Sequence, residues 1–163
     1  MSTQDELQLV TFALGAERFA LPVGVVREIL DYAPAFRIPN GPRHLLGLCN
    51  VRGQSVPVID LGLRLGMPPT EPTPNTRVLV VDIAVGERAM TLGILVDRVF
   101  EVAAVRKGEI EAAPDIGASW SSDYIDGVVR RDDSFLVIVN LARLLSEGEA
   151  DALTVSPEAW RAA

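Results

Sequence analysis

The sequence predicts an all-β chain folded as small barrels with short helical turns, and three observations lead there. Short runs of Val, Ile, Leu, Phe and Thr alternate at period two and are interrupted by Gly- or Pro-bearing turns, the pattern of brief strands joined by tight connections. Stretches with helical periodicity are few, so sheet rather than helix must bury the core. The chain also repeats itself. A shift of 71 positions lays Val10, Ala13, Gly15, Leu21, Val25 and Arg27 on Val81, Ala84, Gly86, Leu92, Val96 and Arg98. A shift of 80 lays Gly47 on Gly127, Val58 and Ile59 on Ile138 and Val139, Asp60 on Asn140, and Leu61 on Leu141. The two matches occur in the same order in both halves, which implies two similar subdomains over about residues 7–66 and 77–146.

Taken in order, residues 1–6 are polar and are expected to be a disordered start. Leu7 to Leu14 is a strand, Gly15 to Glu17 a turn, and Arg18 to Val26 a returning strand with Phe19, Leu21, Val23 and Val25 on one face. Residues Arg27 to Tyr32 extend it, and the prolines of Ala33 to Arg43 make a connector. Leu46 to Val51, a turn at Arg52-Gly53-Gln54, and Ser55 to Ile59 form a second hairpin, closed by a helical turn that Asp60 caps. Met67 to Thr76, with its prolines and threonines, bridges the copies because proline cannot donate to a central sheet ladder. Arg77 to Ile83 and Ala89 to Val105 repeat the first hairpin and its extension; Lys107 to Asp123 is a polar loop anchored by Trp120; Leu136 to Val139 and Leu141 to Leu145 finish the second copy. Residues 147–163 form an acidic, alanine-rich tail with helical character and Trp160. A unit of about 60 residues buries too little surface to stand comfortably alone. The copies should therefore pack together around a groove.

Composition narrows the function. The 163 residues are 48% hydrophobic and 23% charged, with a net charge of −7, which disfavours a nucleic-acid binder, since such proteins need dense Lys/Arg patches. One cysteine, Cys49, allows no internal disulfide, and neither a secretory leader nor an apolar run of bilayer length is visible. The reading is a cytoplasmic, reduced protein without membrane insertion. His44 and Cys49 are single residues of their types and cannot complete a dyad or a metal set, so no catalytic, cofactor or metal residue is assigned. Asp60 meets Asn140 in the second copy; both cap helices, but an amide is neither acid nor base, so the pair is structural.

Phe19-Ala-Leu-Pro-Val-Gly-Val-Val-Arg-Glu-Ile29, Gly47-Leu-Cys-Asn-Val-Arg-Gly53 and Val56-Pro-Val-Ile-Asp-Leu61 resemble the CheW family of chemosensory coupling proteins. Residues 7–146 follow that family in order and spacing, the Asn-x-Arg-Gly turn with Pro-Val-Ile-Asp-Leu being its specific part. The resemblance implies two interlocked five-stranded β-barrels of SH3-like or OB-like type. It also implies a non-catalytic adaptor bridging the cytoplasmic tip of a methyl-accepting chemoreceptor to the regulatory domain of a CheA-type histidine kinase. Carried over residue by residue, it places receptor contacts at Glu28, at the apolar Val26 and at Arg52 with its turn partner Gly53. A groove beside Val26 and Ile29 would then take a helical hairpin, with Glu28 and Arg52 setting register. The plainer readings are a solvated edge residue for Glu28 and a turn residue bonding nearby carbonyls for Arg52. Only the first hairpin carries the arginine, because Arg52 and Gly53 fall on Asp132 and Asp133. The rival reading is an OB-like barrel that binds oligonucleotide or a small ligand, and it lacks basic and aromatic surface: aromatics are 6% of the chain. A third, a domain of the same family from a larger kinase, is disfavoured by Met1 and the short tail.

Overall fold

The computed structural model describes residues 5–39, 41–112 and 124–145. The expectations for residues 1–4, for Trp120 and for the tail with Trp160 lie outside them. Strands run β1 Glu6–Leu14, β2 Glu17–Pro22, β3 Val26–Asp31, β4 Leu45–Val51, β5 Gln54–Asp60, β6 Arg77–Val85, β7 Arg88–Val96, β8 Arg98–Arg106, β9 Ile110–Glu111, β10 Ile125–Arg131 and β11 Ser134–Val139. Single-turn helices α1 (Leu61–Arg64) and α2 (Leu141–Leu144) follow β5 and β11. Glu6 already pairs with Arg106, so strand β1 reaches into the stretch expected to be disordered.

Two curled sheets result, with orders β8-β1-β2-β11-β10-β9 and β3-β6-β7-β5-β4. Each draws on both sequence copies. The hairpin β1–β2 joins β10–β11 of the second copy through a parallel contact of β2 with β11, and β4–β5 joins β6–β7 through a parallel contact of β5 with β7. The interlocking therefore consists of exchanged hairpins.

One expectation fails at the exchange point. The predicted strand Arg18 to Val26 is interrupted: β2 ends at Pro22, and a 3-10 turn over Val23–Val25 carries the chain into the other sheet. Pro22 has no amide hydrogen with which to extend a ladder. Period two persists in the sequence, but Phe19 and Leu21 are buried while Val23 is exposed.

Each sheet curls until its edges meet. In the second sheet, Phe36 bridges to Leu48 on β4 through Phe36 N–H to Leu48 O (2.7 Å) and Leu48 N–H to Phe36 O (2.8 Å). In the first, β8 turns through Lys107–Glu109 into β9, which pairs with β10. The six strands thus match the expected five once β8 and β9 are counted as one strand bent at a corner. Gly47 and Gly127, equivalent in the two copies, lie beneath these closing segments. A Cβ at Gly47 (φ 146°) would strike the Phe36 carbonyl, and one at Gly127 would strike the Ile110 side chain.

The core has a shared centre and private interiors. Phe12, Leu21, Leu61, Leu79, Leu92 and Leu141 come from both sheets and both helical turns to form the main cluster. Leu9, Ala20, Val129 and Ile138 fill the first barrel; Val58, Val78 and Leu95, with Val51, Val56 and Val80, fill the second. Because Val78 to Val81 alternate between a private interior and the shared centre, that run is apolar throughout. Each fully buried Leu or Phe contributes about 1.5–3 kcal/mol. Arg64 of α1 donates to the Leu144 carbonyl at the end of α2 (2.9 Å), tying the two copies together at their equivalent helical turns.

Candidate functional site

The Asn50 side chain accepts from the Gly53 amide (2.8 Å), closing a two-residue turn between Val51 and Gln54. Both turn residues have positive φ, 52° at Arg52 and 83° at Gly53, the primed hairpin geometry that suits the twist of the strands. Glycine accepts this freely, whereas for an L-arginine the left-handed conformation costs about 1–2 kcal/mol. The Arg52 side chain is 81% exposed, and its Nε donates to Glu28 Oε2 at 3.2 Å.

Glu28 lies on β3, at the far edge of the same sheet from β4. Curling brings the edges together, so Arg52–Glu28 spans the barrel seam. The Glu28 side chain is only 19% exposed, yet a pair with one partner in solvent is worth about 0–1 kcal/mol. Arg52 donates to a carboxylate rather than to nearby carbonyls, and Glu28 is not a fully solvated edge residue. The structure thus brings two of the sequence-predicted residues into contact.

Strand β3 is bulged. Val26 pairs with Val81 and Glu28 with Val80, leaving Arg27 as the extra residue. Cross-strand partners share a face, so Val26 lies on the Val81 face and Ile29, opposite Leu79, lies on that face too, while Glu28 and Leu30 take the other. Strict alternation would separate Val26 from Ile29; the bulge puts them together. Val26 packs partly against the shared centre, and Ile29 is 47% exposed.

Sequence reasoning missed the group that braces this bulge. Arg27 Nε donates to Asp82 Oδ2 (2.9 Å) and its NH2 reaches Asp82 Oδ1 (2.9 Å), a two-pronged fork across to β6. Thr91 Oγ1 donates to the same carboxylate (2.7 Å). The available signal was Asp82 itself, a charge inside the apolar run Val78 to Ile83. Asp82 also lines a cleft of about 290 Å³ with Leu21, Pro22, Val25 and Leu141. That cleft lies between elements of the two sheets.

The remaining candidates are structural in their contacts. The His44 carbonyl accepts from the Asp60 amide (2.8 Å). Asp60, 1% exposed, caps α1 by accepting from Leu63 N (3.1 Å) and takes two more bonds from Thr70, from N (2.8 Å) and Oγ1 (2.9 Å). Asn140 caps α2 by accepting from Arg143 N (3.1 Å) and donates Nδ2 to Asp126 (3.2 Å). An acid stands where three donors converge, and an amide where one bond is accepted and one given. Burial pushes the Cys49 thiol up, leaving little thiolate at neutral pH. Cys49 is accordingly expected to react with a disulfide reagent several-fold more slowly in the folded protein than in urea; equal rates would contradict this packing. Among the described residues no group of three or more His, Cys, Asp or Glu could hold a metal, and no helix is long and apolar enough to cross a membrane.

Exchanged five-stranded barrels with a seam at an Asn-x-Arg-Gly hairpin define a class of β-rich twin-barrel domain. Residues 8–149 match the CheW-like domain, and the chain belongs to that family. It is 32% identical over 149 residues to the probable chemotaxis protein CheW of Rhizobium etli, covering 91% of this chain and 94% of the relative. It is 30% identical over 150 residues to the chemotaxis protein CheW of Rhizobium meliloti, covering 92% and 94%. The crystal structure of the scaffolding protein TtCheW from Thermoanaerobacter tengcongensis superposes with a TM-score of 0.76 at 27% identity, over 88% of this chain and 90% of that one.

Proposed function

We propose that this protein is a non-catalytic chemosensory adaptor that joins the cytoplasmic tip of a methyl-accepting chemoreceptor to the regulatory domain of a CheA-type histidine kinase. The receptor's helical hairpin seats against Val26 and Ile29, with Glu28, Arg52 and Gly53 setting its register. Family membership supports the adaptor class, and one observation supports the site. Arg52 occupies a left-handed backbone conformation that glycine would adopt at no cost, and its exposed side chain gains only a weak ion pair. Backbone strain with so little folding return fits a residue kept for a partner.

The test mixes the full chain with a receptor signalling fragment and the kinase, and measures co-sedimentation and kinase autophosphorylation. Arg52→Glu should lower receptor affinity roughly tenfold with the melting temperature nearly unchanged. Arg52→Gly, which relaxes the positive φ, should lose the same binding while melting no lower than the parent. If both variants unfold, or bind normally per folded molecule, the residue serves the hairpin alone. The comparisons lend no support to the oligonucleotide or small-ligand reading.

A further inference from the structure

A second surface stands apart from the seam and has no part in the adaptor reading above. Arg18 on β2 and Arg98 on β8 are both the cross-strand partners of Ala13 on β1, so the three share one face of the first sheet. The Ala13 methyl leaves room above β1, and Phe100 supplies a ring that both guanidiniums approach. The Arg18 Cζ lies 4.4 Å and the Arg98 Cζ 5.3 Å from the ring centroid. Both arginines are exposed and Phe100 is half-buried.

Several of the other arginines pair with acids, although among the described residues Arg37 and Arg43 do not, and the convergence of two on one ring sets this cluster apart. Arg27, Arg52, Arg77, Arg130, Arg131 and Arg143 each meet a carboxylate. The chain offers 22 Asp and Glu against 15 Lys and Arg, so acids are plentiful. Yet among the described residues the side chains of Arg18 and Arg98 make no ion pair or hydrogen bond, and their charges instead converge on one ring. Two like charges drawn together repel; contact with the ring offsets part of that cost and leaves the exposed N–H edges available to a further partner. Such an edge matches a carboxylate in a two-pronged geometry.

We propose that Arg18, Arg98 and Phe100 form a docking surface for an acidic segment of a partner protein, with its carboxylates on the guanidinium edges and an apolar side chain against the ring. Charge complementarity selects this occupant. A nucleic-acid backbone is bound through a dense Lys/Arg patch that neutralises many phosphates, which two arginines do not make, whereas one or two carboxylates of a peptide match them in number.

The test titrates the isotope-labelled full chain with the synthetic peptide Glu-Leu-Glu-Leu-Glu-Leu-Glu. The same peptide with Gln for Glu, pyrophosphate and an oligothymidylate serve as comparisons. The acidic peptide should shift the Phe100 ring and the Nε–H signals of Arg18 and Arg98 saturably, and the Gln peptide should not. Joint Arg18→Gln and Arg98→Gln should weaken the peptide by about tenfold or more, and joint replacement by Lys, which keeps charge but loses the planar fork, should fall between. The proposal is overturned if the acidic peptide leaves these signals unmoved, or if pyrophosphate or the oligothymidylate binds as tightly. It is equally overturned if the Gln variants lower the melting temperature while peptide affinity per folded molecule is unchanged, since the arginines would then only cover the barrel mouth with their stems.

Discussion

Replacing Gly47 by alanine is expected to lower stability by about 3 kcal/mol, dropping the melting temperature of a chain this size by roughly 6–12 °C. The added methyl would collide with the Phe36 carbonyl, which accepts from the Leu48 amide while the Phe36 N–H donates back to the Leu48 carbonyl. Relief would require breaking the bridge that closes the second barrel. Gly47 also holds a φ of 146°, which L side chains rarely adopt. Gly127→Ala is the internal comparison: its methyl would meet the Ile110 side chain, which can shift, so a loss of about 1 kcal/mol is expected. Thermal and urea unfolding of both variants measure the difference. Equal losses would mean that barrel closure by Phe36 is not the constraint acting on Gly47.

Asp60→Ala should cost about 3 kcal/mol as well, through a different mechanism. It removes the cap of α1 and leaves the Thr70 amide and hydroxyl facing a buried methyl. Asp60→Asn should cost less, because the amide oxygen still caps Leu63 while its NH2 opposes the Thr70 N–H. Asn140→Ala, which loses a single cap and an exposed bond, should cost about 1 kcal/mol. Denaturant unfolding of the three variants gives the ranking. A loss at Asp60 no greater than at Asn140 would show that the Pro-rich bridge is not anchored by the carboxylate.

Strands and caps were legible in the sequence because they answer to local rules. Alternation located most strands, Gly53 and Gly15 marked turns, and Asp60 and Asn140 announced the helical turns that follow them. The path of the chain between sheets was not legible. The break at Pro22–Val25 sits inside a run whose period two continues, and only packing decides that the next strand joins the other sheet. The bulge at Arg27, the fork to Asp82 and the closing contacts of Phe36 and β9 arise when edges meet after curling, so no local pattern encodes them. Resemblance singled out Glu28 and Arg52 separately. Their contact needed the seam.

The exchanged hairpins carry a consequence for how such a chain could have begun. Within either half alone, the two hairpins lie in different sheets and neither has its parallel neighbour. Two identical half-length chains, each lending a hairpin to the other, would satisfy every ladder and restore both barrels around a two-fold axis. The present molecule has the connectivity of such a dimer with its halves joined in one chain, and the halves differ in sequence: one hairpin tip holds Arg52 and the other Asp132.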